Sequence, residues 1–435
     1  KWTATMNLTE SHAGSDLSAL KTRAEPAGDH YLLKGQKIYI TWGEHDMTDN
    51  IVHVVLAPMA DAPPGNKGLS LFLVPKFLVN EDGSLGERND VRVMSTEHKL
   101  GIHASPTCVM SFGENEGAIG YLIGDPGDGL ACMFTLMNHA RLEVGLQGVA
   151  ISERAYQDAL GYARERVQGR DVETGESAAI IRHADVQRML MCMKSLTEAM
   201  RGLTYDGAFA HDFRIHSQNE DEKRHFNERF SLLTPLVKAW CTELVNEVTS
   251  IGIQVHGGMG FIEETGAAQH YRDARISAIY EGTNGIQAND LVGRKVLRDQ
   301  GAALGSYLEE IMETAERIEH DERLKPMAVK LKDAVSNLQA ASHYVIENAA
   351  GSQKFVGAVA YNFLMMMGYV AGAWYMARAA EKAVTELDGS DKAFYERKLA
   401  SVNFYFAQLL PRHRGYQEAV ITGAEIGVSL NEACF

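Results

Sequence analysis

The sequence has no C-x-x-C pair and no histidines at metal-ligand spacing. Its five cysteines, Cys108, Cys132, Cys192, Cys241 and Cys434, are scattered and odd in number, which argues against a disulfide framework and structural zinc and suits a reducing compartment. His139 and His256 therefore read as structural residues, and no metal is expected. A signal-peptide pattern is also lacking: the chain opens with Lys1-Trp2-Thr3, already inside a strand pattern, so a preceding segment is expected. A cytoplasmic location is the expectation. Positive charge is short as well, with 42 basic against 57 acidic residues and a net charge of -15, which opposes binding to nucleic acid or to an anionic membrane surface.

At 435 residues the chain exceeds what one hydrophobic core usually supports, so two or three domains are expected. Residues 1–125 hold short β-rich runs, such as Ile51 to Ala57, Leu69 to Val74 and Cys108 to Phe112, separated by Gly, Asn, Asp and Pro. This predicts an antiparallel barrel or sandwich. After Gly127-Asp128-Gly129 the apolar period becomes helical over Leu130 to Val167, Ala178 to Phe213 and Arg229 to Val255. Between the last two, the charged run from His216 to Asn227 predicts an exposed loop. A further helical block from about Leu304 to His413 reads as an added bundle, and the division is 1–125, 126–302 and 303–435 in an α+β fold. Within that block Phe355 to Ala377 carries no charge and includes Met365-Met366-Met367. It is long enough to cross a bilayer, but its Gly and Ala content and the flanking amphipathic segments predict a buried core helix without membrane contact.

Three stretches carry chemistry. In Tyr280-Glu281-Gly282-Thr283-Asn284-Gly285-Ile286-Gln287 a carboxylate sits in a glycine-flanked turn that interrupts two helical patterns. Gly282 lets backbone approach a ligand, and Thr283 is placed to cap the following helix, whose N–H groups favour a polar cofactor edge. Read alone, the stretch is a solvated turn. Gln254-Val255-His256-Gly257-Gly258-Met259-Gly260 is a glycine cluster at the end of a helix, which rejects the dinucleotide fingerprint because those glycines follow a strand. It is either a glycine-rich helix cap or a phosphate cradle. Leu8-Thr9-Glu10-Ser11-His12-Ala13-Gly14-Ser15-Asp16 joins a strand to a turn in which Ser15 or Asp16 simply caps a helical turn or two hydroxyls meet a ligand.

These stretches, in this order, resemble the acyl-CoA dehydrogenase family over about residues 1 to 300. The family's T-E-x-x-A-G-S-D pattern matches Thr9 to Asp16, and its W-I-T matches Tyr39-Ile40-Thr41 with Tyr for Trp. Its Q-x-x-G-G-x-G matches Gln254 to Gly260, and its Y-E-G-T-x-x-I-Q matches Tyr280 to Gln287. Two features depart: Arg166-Val167-Gln168-Gly169 lacks the Phe of R-x-x-F-G and is one residue short, and Asn138 stands for Asp in the D-x-x-R pattern that ends at Arg141. A long form with a C-terminal helical extension is the resembling type, and the family's all-α N-terminal domain is expected to lie before Lys1.

The resemblance implies FAD as cofactor, with Leu8, Thr9 and Thr41 at the flavin ring, Tyr39 as an aromatic wall, and Gly14 and Ser15 near the join between FAD and the acyl-CoA thioester. It puts Arg166, Gln254, Gly257 and Gly258 on the FAD of a neighbouring subunit, with Thr283, Asn284 and Gly285 completing that site, so a homodimer or dimer of dimers is expected. Arg141 and Gly282 are expected on the substrate, and Glu281 is the expected base. A thioester α-proton is too weakly acidic for an exposed carboxylate, so desolvation must raise the base while donors stabilise the enolate. The resemblance also implies an electron-transferring flavoprotein as acceptor. Rival expectations are an acyl-CoA oxidase using oxygen and a non-catalytic assembly scaffold on the same fold.

Overall fold

In the computed structural model, which describes residues 1–350 and 352–435, the β-rich first third forms β1 (Thr3–Asn7), β2 (Arg23–Ala27), β3 (His30–Thr41), β4 (Ile51–Pro58), β5 (Leu69–Pro75), β6 (Phe77–Val79), β7 (Leu85–Arg88), β8 (Val91–Thr96), β9 (Thr107–Phe112) and β10 (Ala118–Ile123). They belong to a compact unit spanning Lys1–His139. Its main sheet runs β1-β4-β5-β10-β3-β9-β8, with β2 on β3. The central strands are buried on both faces, because successive side chains of a strand point to opposite sides. Val55, Ala57, Phe72 and Val74 enter one core, whereas Val54, Leu56, Leu69 and Leu71 enter another with Met133. The sheet is not wholly antiparallel as expected: β1 pairs with β4 in parallel, Thr3 opposite Ile51 through Asn7 opposite Val55. The long connection between them, which contains β2 and β3, makes that crossover possible.

The helical pattern begins where the glycine triplet predicted, with α1 at Gly129–Glu165. It is followed by α2 (Ala184–His216), α3 (Glu220–His256), α4 (Ala267–Arg275), α5 (Asn284–Asp290), α6 (Ala302–Ile318), α7 (Lys325–Ala349), α8 (Gln353–Thr385), α9 (Lys392–Phe404), α10 (Arg412–Ile421) and α11 (Ala424–Ser429). Residues Ala140–Phe435 form the second compact unit.

The charged run expected as a loop is instead mostly the first two turns of α3. The Asn219 side chain caps it by accepting from the N–H groups of Asp221 and Glu222, and Glu220, Asp221 and Glu222 complement the positive end of the helix dipole. A polar first turn needs no apolar face, which is why its periodicity is silent. The segment weighed for membrane contact lies in α8, where 72% of the most apolar window is buried inside the protein. Its glycines admit neighbours: a Cβ at Gly368 would stand 2.2 Å from Trp240, and one at Gly372 2.3 Å from the Tyr405 hydroxyl, which donates to the Tyr369 carbonyl at 2.9 Å.

Candidate active site

In the sheet-rich unit the Thr9–Asp16 stretch is pinned by a buried ion pair. Glu10 accepts from the N–H groups of Lys21 (2.8 Å) and Thr22 (3.0 Å), and Lys37 donates to Glu10 Oε1 and to the Leu8 carbonyl, both at 2.9 Å. Ile38 N–H donates to the Thr9 carbonyl at 2.9 Å, so Leu8 and Thr9 are tied to β3. Burial alone would push the Glu10 carboxyl up, but the Lys37 charge and the N–H donors outweigh it and hold it below the usual range. Asp16 caps no helix: it accepts from Ser18 N–H at 2.9 Å in a local turn, leaving Gly14 and Ser15 exposed. Further along β3 the register against β9 shifts between Lys37 and Ile40, and Tyr39 takes φ 62° in that irregularity. The bulge turns its ring outward, 61% exposed, one residue before the buried Ile40 and two before the exposed Thr41.

In the helical unit the turn before α5 is held from two sides. Glu281 has φ 55° and Gly282 φ 85°, two successive left-handed residues, a conformation costly for a non-glycine residue and concentrated at functional sites. Arg141 on α1 is 4% exposed and donates through Nε to the Glu281 carbonyl at 3.4 Å. Gln287 donates to the Gly282 carbonyl at 3.2 Å, and a Cβ on Gly282 would meet that amide nitrogen at 2.6 Å, which together with the left-handed φ favours glycine. Thr283 caps α5 as predicted, its hydroxyl accepting from Ile286 N–H at 3.3 Å. Tyr280 fastens the preceding residue to α1 through Gln147. Burial pushes the Glu281 carboxyl above the usual glutamate range, against the pull of the Arg141 and Lys238 charges and with a smaller contribution from Glu143.

Two expected ligands are differently engaged. Asn284 is 4% exposed, and its side chain is committed inside the protein: Oδ1 accepts from Lys238 (2.9 Å) and Thr242 (3.0 Å), while Nδ2 donates to Glu243 (2.8 Å). A buried amide must satisfy its donors and acceptors where it lies, so any cofactor contact of Asn284 runs through backbone. Arg141 is buried against the turn that carries Glu281. Sequence reasoning missed Lys238 entirely, although its signal was present: a single lysine inside the run from Leu232 to Trp240.

The other glycine cluster ends α3, with Gly257 at φ 59° as its C-cap. A Cβ at Gly257 or Gly258 would meet nothing within 4 Å, so this backbone is open on its outer side. His256 is a satisfied structural residue, bonded to the Gly252 carbonyl at 2.7 Å and packed on Tyr162 with ring centroids 4.6 Å apart. Tyr162 also accepts the Arg166 N–H at 2.9 Å, so Arg166, exposed and bonded to Gln168 at 3.2 Å, shares that end of the bundle. Lys238, behind the Glu281 turn, and Gln254 lie 16 residues apart on α3, about 24 Å along the helix axis. The two clusters therefore present separate surfaces.

Comparison with known proteins gives three family matches: the acyl-CoA dehydrogenase middle domain over residues 5–114, the acyl-CoA dehydrogenase C-terminal domain over 127–296, and an acetyl-CoA dehydrogenase C-terminal-like domain over 307–430. The chain is 46% identical over 415 residues to 3-methylmercaptopropionyl-CoA dehydrogenase of Ruegeria pomeroyi, covering 94% of this chain and 70% of that protein. It is 36% identical over 442 residues to a butyryl-CoA dehydrogenase of Syntrophomonas wolfei, covering 97% and 71%. In structure it is similar to an acyl-CoA dehydrogenase complexed with FAD from Bacillus anthracis, with a TM-score of 0.77 at 22% identity, covering 99% of this chain and 70% of that one.

Proposed function

Because the chain belongs to the acyl-CoA dehydrogenase family, we propose that it oxidises an acyl-CoA thioester across the α–β carbon bond to the trans-2-enoyl product, with Glu281 taking the α-proton. The observation that carries this reading is the desolvated Glu281 carboxyl in a left-handed turn held by Arg141 and Gln287. A bound FAD would supply the hydride-accepting chemistry for the β-hydrogen at flavin N5. The chain's own task is to place the thioester, bind its carbonyl through the Glu281 N–H, exclude water and keep Glu281 basic. Arg141 and Gly282 are proposed on the substrate, and Arg141 also holds the turn through the Glu281 carbonyl. An electron-transferring flavoprotein is the proposed acceptor, on the family resemblance.

Leu8, Thr9, Gly14, Ser15, Tyr39 and Thr41 would hold FAD, and Thr283, Gly285 and the Asn284 backbone are proposed to complete the cofactor site that Arg166 and Gln254 to Gly258 serve. The residues fit such a group, because the stretch that bears them is fastened to β3 by Lys37 while the Thr41 and Ser15 side chains remain exposed. Arg166, Gln254, Gly257 and Gly258 are proposed to serve a neighbouring subunit's FAD in a homodimer or dimer of dimers. The open backbone at Gly257 and Gly258, and the spacing along α3 between this cluster and Glu281, support that assignment. Replacing Gly258 by Val should leave the melting of flavin-free protein within about 0.5 kcal/mol of native stability. The same change should weaken FAD retention on gel filtration about tenfold. Unchanged flavin content would remove this end of the bundle from the cofactor site.

A base raised by burial also sets a pH limb. As pH falls through its pKa, Glu281 binds a proton and cannot accept another, so kcat/KM should decline on the acid side with an apparent pKa above the ordinary 4.5. A profile flat down to pH 4.5 would count against Glu281. The 46% identity to the Ruegeria pomeroyi enzyme makes 3-methylmercaptopropionyl-CoA the first substrate to test, beside butyryl-CoA and longer thioesters, with an artificial electron acceptor. Residues 303–435 are proposed as a C-terminal helical extension after a catalytic helical domain at 126–302, which the family match over 307–430 supports, although Ala140–Phe435 pack as one compact unit.

A further inference from the structure

Behind the Glu281 turn lies a buried polar row that the reading above leaves unused. Lys238 on α3 is 0% exposed, and its ammonium donates to Asn284 Oδ1 at 2.9 Å. Thr242 donates to the same oxygen at 3.0 Å, and the Asn284 amide returns to α3 by donating to Glu243 at 2.8 Å. On the far side, Tyr361 of α8 stands beside Glu243, and burial together with that carboxylate keeps its hydroxyl above the usual range. The row thus runs from the C-terminal helical region through α3 to the residue three positions after Glu281.

A fully buried lysine is costly unless its charge is used or compensated. Burial draws Lys238 down to about 7, with Arg141 adding to the fall and Glu281 and Glu243 opposing it. Glu281 is faced in turn by Arg141 and Glu143 from α1 and by Lys238 from α3, and Arg141 is faced by Asp290 and Arg294. Lys238, a cation of this group, also bonds the α5 end of the Glu281 turn.

We propose that Lys238 is a positioning residue for Glu281: through Asn284 it fixes the turn that presents the carboxylate, its ammonium favours the ionised base, and α8 anchors the far end through Tyr361 and Glu243. Lys238 transfers no proton in the reaction. The proposal rests on Glu281 being the base.

The test uses flavin-loaded full-length protein with two readouts: the acid limb of kcat/KM, and the infrared titration of the Glu281 carboxyl band, assigned by its absence in Glu281→Gln. Lys238→Met removes a cation, so the ionised carboxylate loses stabilisation and both limb and band should move to higher pH by roughly one unit. Lys238→Arg keeps the charge and should return both to the native position. Lys238→Gln removes the charge but keeps a donor for Asn284, and decides the matter if Lys238→Met does not fold. It should shift limb and band the same way as Lys238→Met. An unmoved limb and band in a folded, flavin-loaded Lys238→Met or Lys238→Gln overturns the proposal, as does a folded Lys238→Arg that behaves like Lys238→Met. Should Glu281→Gln keep full oxidation, the base assignment falls by itself, while the infrared shift still judges Lys238.

Discussion

Glu281→Gln is expected to keep bound yellow FAD and to lose thioester oxidation by at least about a hundredfold, the scale of a positioned general base. The substitution is isosteric and removes only the ability to take a proton. Its neighbours hold the backbone of the turn: Arg141 donates to the Glu281 carbonyl, Gln287 to the Gly282 carbonyl, and Thr283 accepts from Ile286 N–H. The turn should therefore persist, and with it the surface offered to the cofactor. Steady-state rates with an artificial acceptor, set beside the flavin-to-protein absorbance ratio, check both halves. Loss of flavin would make the rate uninformative about proton transfer, which is why the ratio is measured on the same sample. A loss smaller than about tenfold with full flavin would take the base role from Glu281.

The largest expected stability effect lies away from this turn. Arg229 on α3 has a side chain only 9% exposed, and its guanidinium donates to Asp206 of α2 at 2.8 and 3.1 Å and to both oxygens of Glu310 of α6 at 2.7 Å. It also stands over the rings of Tyr307 and Trp374, 5.4 and 5.2 Å from their centroids. Asp206 further accepts from Tyr375 of α8 at 2.6 Å, so three helices meet at one carboxylate, and α6 joins the cluster through Arg229. Arg229→Met would keep the apolar stem but leave Asp206 buried without its cation. The expected cost is about 3–5 kcal/mol, as for breaking a buried pair by removing one partner. A shift in the denaturant midpoint measures it. The double change Arg229→Met with Asp206→Asn should recover part of the loss, because the stranded charge goes with the arginine. A loss below about 1 kcal/mol would rank the cluster with surface ion pairs.

Both effects depend on partners that local pattern cannot name. The helix starting at Gly129, the glycine cap at Gly257 and the Thr283 cap were legible because each depends on residues within one or two turns of itself. The Glu281 turn was legible for the same reason: a carboxylate, a glycine and a hydroxyl in succession interrupt helical spacing. The α3 start was not legible, since its first turn faces solvent and has no apolar stripe, and the Asn219 cap was hidden in a run of charges. Nor was the parallel pairing of β1 with β4, which strand periodicity does not encode.

By itself the sequence determined the order of strands and helices, the places where the backbone must turn left-handed or stop a helix, and a family resemblance strong enough to single out Glu281. Tertiary structure decided what surrounds that carboxylate. Arg141 is 140 residues away along the chain, and Lys238 reaches Asn284 across 46. Whether a carboxyl is basic, an asparagine faces inward or a lysine can be buried depends on desolvation and on charges a few ångströms off, and folding sets those distances between segments with no local signature of one another.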